Sequence, residues 1–199
     1  MIFLRKLAAV SVLLVSVFGC NQPENTTADL NYTEKLQTAE AFIDAFYSFD
    51  SSRLRSFLTF AEESAASITY YQGWAEGGNY EIVNRRSCEV KSADIISCSI
   101  TVADDPMLAL GIDFKVTDTF EITFENGEII SVETSSDDLQ VYYDAAEWVR
   151  KELPELVEEP CQGFFDGGPT PADCARAMAE GYRRFAASDD FPSSMRTRE

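Results

Sequence analysis

The sequence predicts an α+β fold, in which helices cover one face of an antiparallel sheet, and three observations support it. Apolar residues recur at intervals of three and four over residues 31–75, the spacing of helices with one buried face. From Tyr80 to Val132 they alternate with polar residues, as in half-buried strands. Helical spacing then returns from Leu139 to Phe185. Because a sheet with one apolar face needs a covering layer, the helical segments and the sheet form one two-layer unit.

The N-terminal segment is typical of a secretion signal. Arg5 and Lys6 precede an apolar run over residues 7–18. As a helix this run is roughly 18 Å long, whereas a membrane-spanning helix crosses about 30 Å of hydrocarbon. The run therefore predicts a cleaved signal and not a transmembrane helix. It ends at Gly19 and Cys20, an arrangement that resembles the lipobox of bacterial lipoproteins.

That resemblance implies removal of residues 1–19 and a diacylglyceryl group on the thiol of Cys20, with an acyl chain such as palmitate on the new amino terminus. Each buried methylene contributes about 0.8 kcal/mol, so these chains anchor a protein to a membrane almost irreversibly. An aspartate directly after the lipidated cysteine would resemble an inner-membrane retention signal, but this position is Asn21. We therefore expect the protein to be anchored in the outer membrane, facing the periplasm. Residues 20–30 would form a lipidated tether. The alternative is an ordinary signal peptide with a chance cysteine.

Three helices are predicted before the sheet. The first begins at a capping box formed by Asn31 and Glu34 and runs to about Phe49. Asp50 caps a short second helix. The third covers about residues 61–75 and ends at a pair of glycines.

A cross-strand disulfide is predicted in the first hairpin of the sheet. Cys88 and Cys98 flank a run of nine residues, so a loop at residues 92–94 sets Val90 opposite Ile96 and the two cysteines opposite each other. Opposed Cα atoms on antiparallel strands lie about 4.5–5.5 Å apart, within disulfide range.

The rest of the sheet is predicted as two further strands, giving a meander of about four. One strand is predicted to begin at Ile112 and to continue to Phe124. A three-residue loop at 125–127, with a glycine where a bulge needs positive φ, leads to the last strand. That register pairs Ile122 with Ile130.

Cys161 and Cys174 are predicted to form a second disulfide around a loop rich in glycine and proline. Closing a loop of this size constrains the unfolded chain by about 3 kcal/mol. The alternative is a metal site formed by all four cysteines. It lacks the closely spaced cysteine pairs that zinc sites favour, and the chain contains no histidine, so we expect neither a metal nor a cofactor.

Two more helices are predicted after the sheet. The first covers residues 139–153 and is predicted to turn Tyr142 and Tyr143 inward. The second begins at a threonine cap, Thr170, followed by proline. The tail over residues 188–199 is predicted to be disordered.

Net charge excludes one class of partner. Removal of residues 1–19 takes away two basic residues and no acidic one, so the charge falls from −18 to −20 over the remaining 180 residues. A chain of that length forms one domain with a sizeable core. A surface so negative repels phosphate backbones, which excludes nucleic acid. The charge itself is typical of a solvated surface and does not by itself indicate a cationic ligand.

Two segments of the chain resemble the nuclear transport factor 2-like superfamily, including its SnoaL-like members. They are the run AFIDAFYSFDSSRLRSFL and the strand pair DTFEITFENGEIISVE, and the later YYDAAEWVRKELPEL is similar to a terminal extension of some bacterial members. The resemblance implies a cone-shaped domain over residues 31–187, with N-terminal helices packed on a curved antiparallel sheet and additional C-terminal helices. It also implies a homodimer formed through the sheet.

In this superfamily the cone encloses a pocket, which implies a ligand site between the third helix and the sheet. Tyrosines and a tryptophan would form its walls, and two polar residues of the first strand would bind a polar group of the ligand. The predicted site residues are Tyr70, Tyr71, Trp74, Asn84, Arg86 and Phe114. A simpler interpretation is that Arg86 pairs with an acidic helix residue such as Asp44.

Catalysis is the least favoured function, and we assign no catalytic residue. Histidine is the usual general base at neutral pH, and its absence excludes chemistry similar to that of scytalone dehydratase. Members similar to ketosteroid isomerase use an aspartate base and a tyrosine, roles that Asp44, Asp113 and Tyr47 would fill only if one pocket gathers them. No serine nucleophile motif or glycine-rich phosphate loop is present in the sequence.

Three hypotheses follow. The first is a non-catalytic binding module for a small apolar or amphiphilic ligand at the cell envelope. The second is an interaction protein that docks a partner through its sheet face. The third is an enzyme similar to ketosteroid isomerase. An aromatic cavity would favour the first, and a sheet face filled by its own side chains would favour the second.

Overall fold

A computed structural model describes residues 27–162 and 172–195. The predicted signal, Cys20, residues 20–26 of the tether and the Thr170 cap lie outside these residues. The described helices are α1 (Thr27–Phe46), α2 (Ser51–Phe57), α3 (Glu62–Gly77), α4 (Asp105–Ala109), α5 (Gln140–Glu152), α6 (Pro154–Val157), α7 (Ala172–Ala187) and a 3-10 turn (Ser193–Met195). The strands are β1 (Glu81–Arg85), β2 (Glu89–Val90), β3 (Ile95–Ala103), β4 (Val116–Glu125) and β5 (Glu128–Ser136).

The fold is α+β, as predicted, with helices packed on an open antiparallel sheet. The sheet order is β1-β3-β4-β5, and the short β2 pairs with the same edge of β3 as β1 does. Among the described residues, no helix is long and apolar enough to span a membrane.

The core lies between α1 and the inner face of the sheet. Phe42 and Phe46 of α1 are fully buried and meet Phe120 of β4 with ring centroids 6.2 and 4.9 Å apart. Ile100 and Ile122 face the same side of the sheet and are also buried. This part of the inner face is therefore filled by the protein's own side chains.

Both predicted disulfides are present. Cys88 and Cys98 have Cα atoms 4.3 Å apart, and Val90 pairs with Ile96 as the hairpin predicts. Cys161 and Cys174, with Cα atoms 4.6 Å apart, tie the turn after α6 to the first turn of α7. Asp50 caps α2 as predicted, because its Oδ1 accepts hydrogen bonds from the first backbone N–H groups of that helix.

The predicted register of the last hairpin is wrong. Ile122 pairs with Val132 and not with Ile130. The turn has two residues, Asn126 and Gly127, with φ of 52° and 87°. Such a turn needs positive φ at both positions, which Asn-Gly adopts readily. A bulge on β5 then leaves Ile130 without a cross-strand partner and 38% exposed.

The strand predicted from Ile112 begins later, at Val116. Between β3 and β4 the chain forms the short helix α4, which the sequence reading did not predict. Asp104 caps α4 by accepting a hydrogen bond of 2.9 Å from the backbone N–H of Met107, and Pro106 occupies the first turn. An aspartate followed by proline is a helix-start signal, so this element was detectable.

Two predictions for the C-terminal region are also wrong. Tyr143 of α5 does not face inward, since half of its surface is exposed. The tail is ordered at least to residue 195: Phe191 is buried and packs on Phe185, with ring centroids 5.5 Å apart. Asp190 accepts a hydrogen bond of 2.8 Å from the indole N–H of Trp148.

Candidate functional site

An aromatic pocket of about 280 Å³ lies between α3, α5, α7 and the end of β5. It is lined by six tyrosines and one tryptophan, together with three polar and two aliphatic residues. The lining residues are Tyr70, Tyr71, Trp74, Tyr80, Ser136, Asp138, Tyr142, Tyr143, Ala146, Arg150, Met178 and Tyr182.

Local sequence explains how each helix contributes to the pocket. Residues four apart share a helix face, so Tyr142, Ala146 and Arg150 line it from α5. Ring contacts then fix the orientation of the tyrosines. Tyr142 and Tyr182 are perpendicular, with ring centroids 5.3 Å apart, and Tyr71 and Tyr80 are perpendicular at 6.4 Å.

A fully buried carboxyl, Asp118, lies behind the pocket on β4. It occupies the inward row of the strand, two residues before Phe120. Its Oδ2 accepts a hydrogen bond of 3.0 Å from the Tyr47 hydroxyl, and its Oδ1 accepts one of 2.7 Å from Ser136. Burial raises the pKa of Asp118, although these hydrogen bonds act in the opposite direction.

Asp138 is the carboxyl that lines the pocket itself. It follows β5 and accepts a hydrogen bond of 3.3 Å from the hydroxyl of Tyr143. Burial raises the pKa of Asp138 to about 6, and the negative charge of Asp118 adds to the effect. Asp138 is therefore ionised near neutral pH and protonated in mild acid.

Asp104, which caps α4, is the third carboxyl of this region; it is 1% exposed, whereas Asp138 is half-buried. Its Oδ1 caps α4, whereas its Oδ2 has no hydrogen-bond partner in the part of the chain that the structure describes. Burial raises the pKa of Asp104 to about 7, partly opposed by the hydrogen bond from Met107 and increased by the charges of Asp138 and Asp118.

The pocket tyrosines remain protonated under physiological conditions. Burial raises the pKa of Tyr71, Tyr80 and Tyr142 well above the ordinary value of 10.0, and nearby carboxyls raise it further. Their hydroxyls can therefore donate hydrogen bonds, and their rings present neutral aromatic surface.

Only some of the predicted site residues meet in this pocket. Tyr70, Tyr71 and Trp74 line it together. Asn84 is exposed on β1, where it pairs with Thr101. Arg86 lines a small separate pocket of about 60 Å³, and Phe114 is half-buried in the segment before β4.

The position of Arg86 differs from the prediction because of a bulge in β1. The sequence reading placed Asn84 and Arg86 on the inner face, in step with Ile82. The register shifts by one residue between Ile82 and Asn84, so Arg85 faces α1 instead. The Arg85 guanidinium lies 2.5 Å from Asp44 and 2.6 Å from Glu40. The ion pair to Asp44 therefore exists, but Arg85 forms it.

Tyr80, Tyr142, Tyr182 and the three carboxyls were missed by the sequence reading. A signal existed for Asp118, since it continues the alternation of Phe120 and Ile122 and so points inward. The tyrosines on α5 and α7 are far apart in sequence from those on α3. Only the packing of α7 against α3 and α5 brings them together.

The residues considered for catalysis do not meet. Asp44 pairs with Arg85 at the surface, and Asp113 is exposed beside Lys115, 2.5 Å away. Tyr47 instead donates its hydrogen bond to Asp118. No group of three potential ligands that could hold a metal ion occurs within residues 27–162 and 172–195.

The outer face of the sheet carries rows of hydroxyl groups. Ser99 and Thr119 are paired across β3 and β4 with their oxygens 3.3 Å apart, and Thr101 and Thr117 are paired at 3.2 Å. The apolar face is the inner one, and helices cover it. A partner that docks on the open side of the sheet would therefore meet a polar surface.

A larger surface groove, of about 590 Å³, runs between α4, α7 and the C-terminal turn. Leu108 and Met195 expose apolar surface there, and Asp105 and Arg183 are its charged residues. Phe191 is the one aromatic residue among those that line it. The aromatic pocket is therefore the stronger candidate site, since ligand sites combine apolar walls with a few converging polar groups.

Comparisons with known proteins identify no relative: no family model, no curated protein and no solved structure matches the chain.

Proposed function

We propose that the protein is a lipid-anchored lipoprotein of the bacterial envelope whose domain binds a small apolar or amphiphilic ligand without catalysis. The anchor is Cys20, and the expected location is the periplasmic side of the outer membrane. We further propose that the domain is nuclear transport factor 2-like. In support, helices α1–α3 precede an antiparallel meander and pack on its inner face.

The aromatic pocket is the observation that carries the binding function. Its volume of about 280 Å³ is close to the lower end of small-molecule sites, which span about 300–1,000 Å³. Trp74, Ala146 and Met178 give it an apolar, almost fully buried wall. Ser136 and Asp138 add polar groups at one side, as an amphiphilic ligand requires.

Docking through the sheet is less well supported than ligand binding. Phe42, Phe46 and Phe120 already fill the inner face beneath α1, so a partner would have to use the outer face. That face presents hydroxyls beside Glu121 and Glu133, which pair across β4 and β5. Such a surface lacks the apolar centre typical of stable interfaces.

Native mass spectrometry of the full-length protein, purified from envelopes in a mild non-ionic detergent, tests the pocket. We expect a small molecule to co-purify. Ala146→Leu puts extra volume into the pocket and should abolish co-purification. Glu147→Leu, an exposed site on the same helix, is the matched control and should retain it. A protein without ligand, or with a stoichiometric second chain instead, would contradict the proposal.

Metabolic labelling with an alkyne analogue of palmitate tests the anchor. The wild-type protein should incorporate label and remain in the membrane fraction. Cys20→Ser removes the only thiol that the lipobox resemblance assigns to lipidation, so its label should disappear. Label that persists in Cys20→Ser would refute the anchor without affecting the ligand proposal.

A further inference from the structure

We propose that the ligand of the aromatic pocket is a small organic cation, an ammonium or quaternary ammonium compound, held by the tyrosine and tryptophan rings and by the carboxylate of Asp138. This inference rests on the proposed function, because it names the ligand class of the same pocket. Two features of the pocket support it: the kind of apolar surface and the surplus of carboxyls.

Aromatic rings, and not aliphatic chains, form most of the pocket wall. Seven of the twelve lining residues are aromatic, whereas Ala146 and Met178 are the aliphatic ones. A neutral hydrocarbon gains as much binding free energy from leucine or valine side chains as from aromatic rings. A cation gains more binding free energy from the rings, because the electron-rich faces of tryptophan and tyrosine attract positive charge. The perpendicular pairs Tyr71–Tyr80 and Tyr142–Tyr182 place rings on several sides of the cavity.

The acidic side of the pocket concentrates negative charge. Asp138 lines the cavity. Asp118 lies directly behind Ser136 and accepts a hydrogen bond of 2.7 Å from its hydroxyl. Asp104 is a third carboxyl within electrostatic reach of Asp138, Tyr80 and Tyr142, and its Oδ2 has no hydrogen-bond partner among the described residues. Two buried carboxyls and the half-buried Asp138 repel one another when ionised, and a cation beside them reduces that repulsion.

Arg150 is the one basic residue among those that line the pocket. It belongs to the last turn of α5 and donates a hydrogen bond of 2.9 Å to the carbonyl of Ala146. The positive charge of Arg150 acts on Tyr70 and Tyr182.

Tryptophan fluorescence measures this preference directly. The chain has two tryptophans, and Trp148 lies outside the pocket, so Trp148→Phe leaves Trp74 as the only reporter. The full-length Trp148→Phe protein in non-ionic detergent is titrated with choline, with its neutral isostere 3,3-dimethylbutan-1-ol and with the anion 3,3-dimethylbutyrate. We expect choline to bind at least tenfold more tightly than the alcohol, and the anion to bind most weakly.

Asp138→Asn in the same background separates charge from shape. It should weaken choline binding at least tenfold and leave the affinity for the neutral alcohol unchanged, which also shows that the pocket is intact. Asp144→Asn, an exposed site on α5, changes the net charge equally and should bind choline like the parent.

Each contrary result has a distinct meaning. Equal binding of choline and the alcohol, no binding of choline, or choline binding unchanged in Asp138→Asn would overturn the inference. The proposed function would stand in those cases if a neutral molecule still co-purifies and Ala146→Leu removes it. If nothing co-purifies and no probe changes the fluorescence of Trp74, the proposed function itself fails.

Discussion

The hydroxyl of Tyr47, the residue directly after α1, donates a hydrogen bond of 3.0 Å to the carboxyl of Asp118 on β4. This contact joins the end of the first helix to the centre of the sheet, and its acceptor is fully buried. Asp118 accepts a second hydrogen bond from Ser136 of β5. One carboxyl thus links the end of α1, β4 and β5 behind the pocket, at a place where an unpaired charge would be costly.

Tyr47→Phe should destabilise the protein by about 1–3 kcal/mol, because it removes one hydrogen bond from a buried carboxyl. Because burial raises the pKa of Asp118 above its ordinary value of 3.8, this carboxyl is protonated at pH 3, and the loss should be greater at pH 8 than at pH 3, since the hydroxyl stabilises the ionised form. Urea denaturation at both pH values measures this. Tyr143→Phe, which loses a hydroxyl from an exposed side chain, is the control and should change stability by less than half as much. Equal losses at the two pH values would contradict the role assigned to Asp118.

Asp104→Asn should flatten the dependence of stability on pH. In the unfolded chain this carboxyl titrates near 3.8, whereas burial raises the pKa of Asp104 to about 7 in the folded protein. Well below pH 4 the Asp104 carboxyl is protonated in both the folded and the unfolded state. As the pH rises to 7 this carboxyl ionises first in the unfolded state, so the free energy of unfolding falls. A shift of about three pKa units corresponds to about 4 kcal/mol, an upper limit for the gain of Asp104→Asn at pH 8.

Thermal or urea unfolding from pH 4 to pH 8 checks this prediction. Asparagine retains the oxygen that caps α4, so the cap itself is preserved. Asp105→Asn removes the same charge at an exposed neighbouring position; because the charge of Asp105 is only a minor cause of the raised pKa of Asp104, this variant should change the slope much less. A slope in Asp104→Asn as steep as that of the wild type would show that Asp104 does not titrate in this range.

Gly181→Ala should destabilise the contact between α7 and α5. A Cβ atom on residue 181 would lie 2.6 Å from both methyl groups of Val149, which is too close for unstrained packing. Overpacking of this kind costs about 1–3 kcal/mol. Val149→Ala removes the two methyl groups, so the double variant should be more stable than the sum of the single effects indicates. Additive effects in this urea-denaturation cycle would mean that the two positions do not compete for space.

Sequence patterns predicted some of the features that depend on neighbouring residues and missed others: α4 and the turn of the last hairpin were not predicted, and the capping box predicted at Asn31 is wrong, because α1 begins four residues earlier. The Asp50 cap, the pairing of Val90 with Ile96 and the Cys88–Cys98 disulfide each follow from spacings of a few residues. Helix and strand types were likewise readable from apolar periodicity. These features require no knowledge of which distant segments meet.

The pocket depends on distant contacts and was only partly predictable. Trp74 of α3, Asp138 after β5 and Tyr182 of α7 line one cavity although they are far apart in the sequence. No local pattern indicates that α7 packs against α3. Bulges are equally hard to predict from local sequence. One extra residue in a strand turns every later side chain of that strand to the opposite face of the sheet.

The bulge in β1 leads to the last prediction, which distinguishes Arg85 from Arg86. Regular alternation from Ile82 would turn Arg86 toward α1. In the structure Arg85 instead forms ion pairs with Glu40 and Asp44. Glu40 also accepts a hydrogen bond of 2.6 Å from the backbone N–H of Cys88. Arg85→Ala should therefore cost about 1 kcal/mol, a modest value because both ion pairs are partly exposed. Arg86→Ala, at an exposed site, should change the free energy of unfolding by less than about 0.5 kcal/mol.

Urea denaturation at low and high salt measures the difference between the two variants. Salt screens ion pairs, so the cost of Arg85→Ala should shrink as ionic strength rises, whereas Arg86→Ala should show no such trend. Adding Glu40→Gln to each variant completes the comparison: it should couple to Arg85→Ala and be additive with Arg86→Ala. A larger loss for Arg86→Ala would mean that β1 runs without its bulge, since only regular alternation turns residue 86 toward α1.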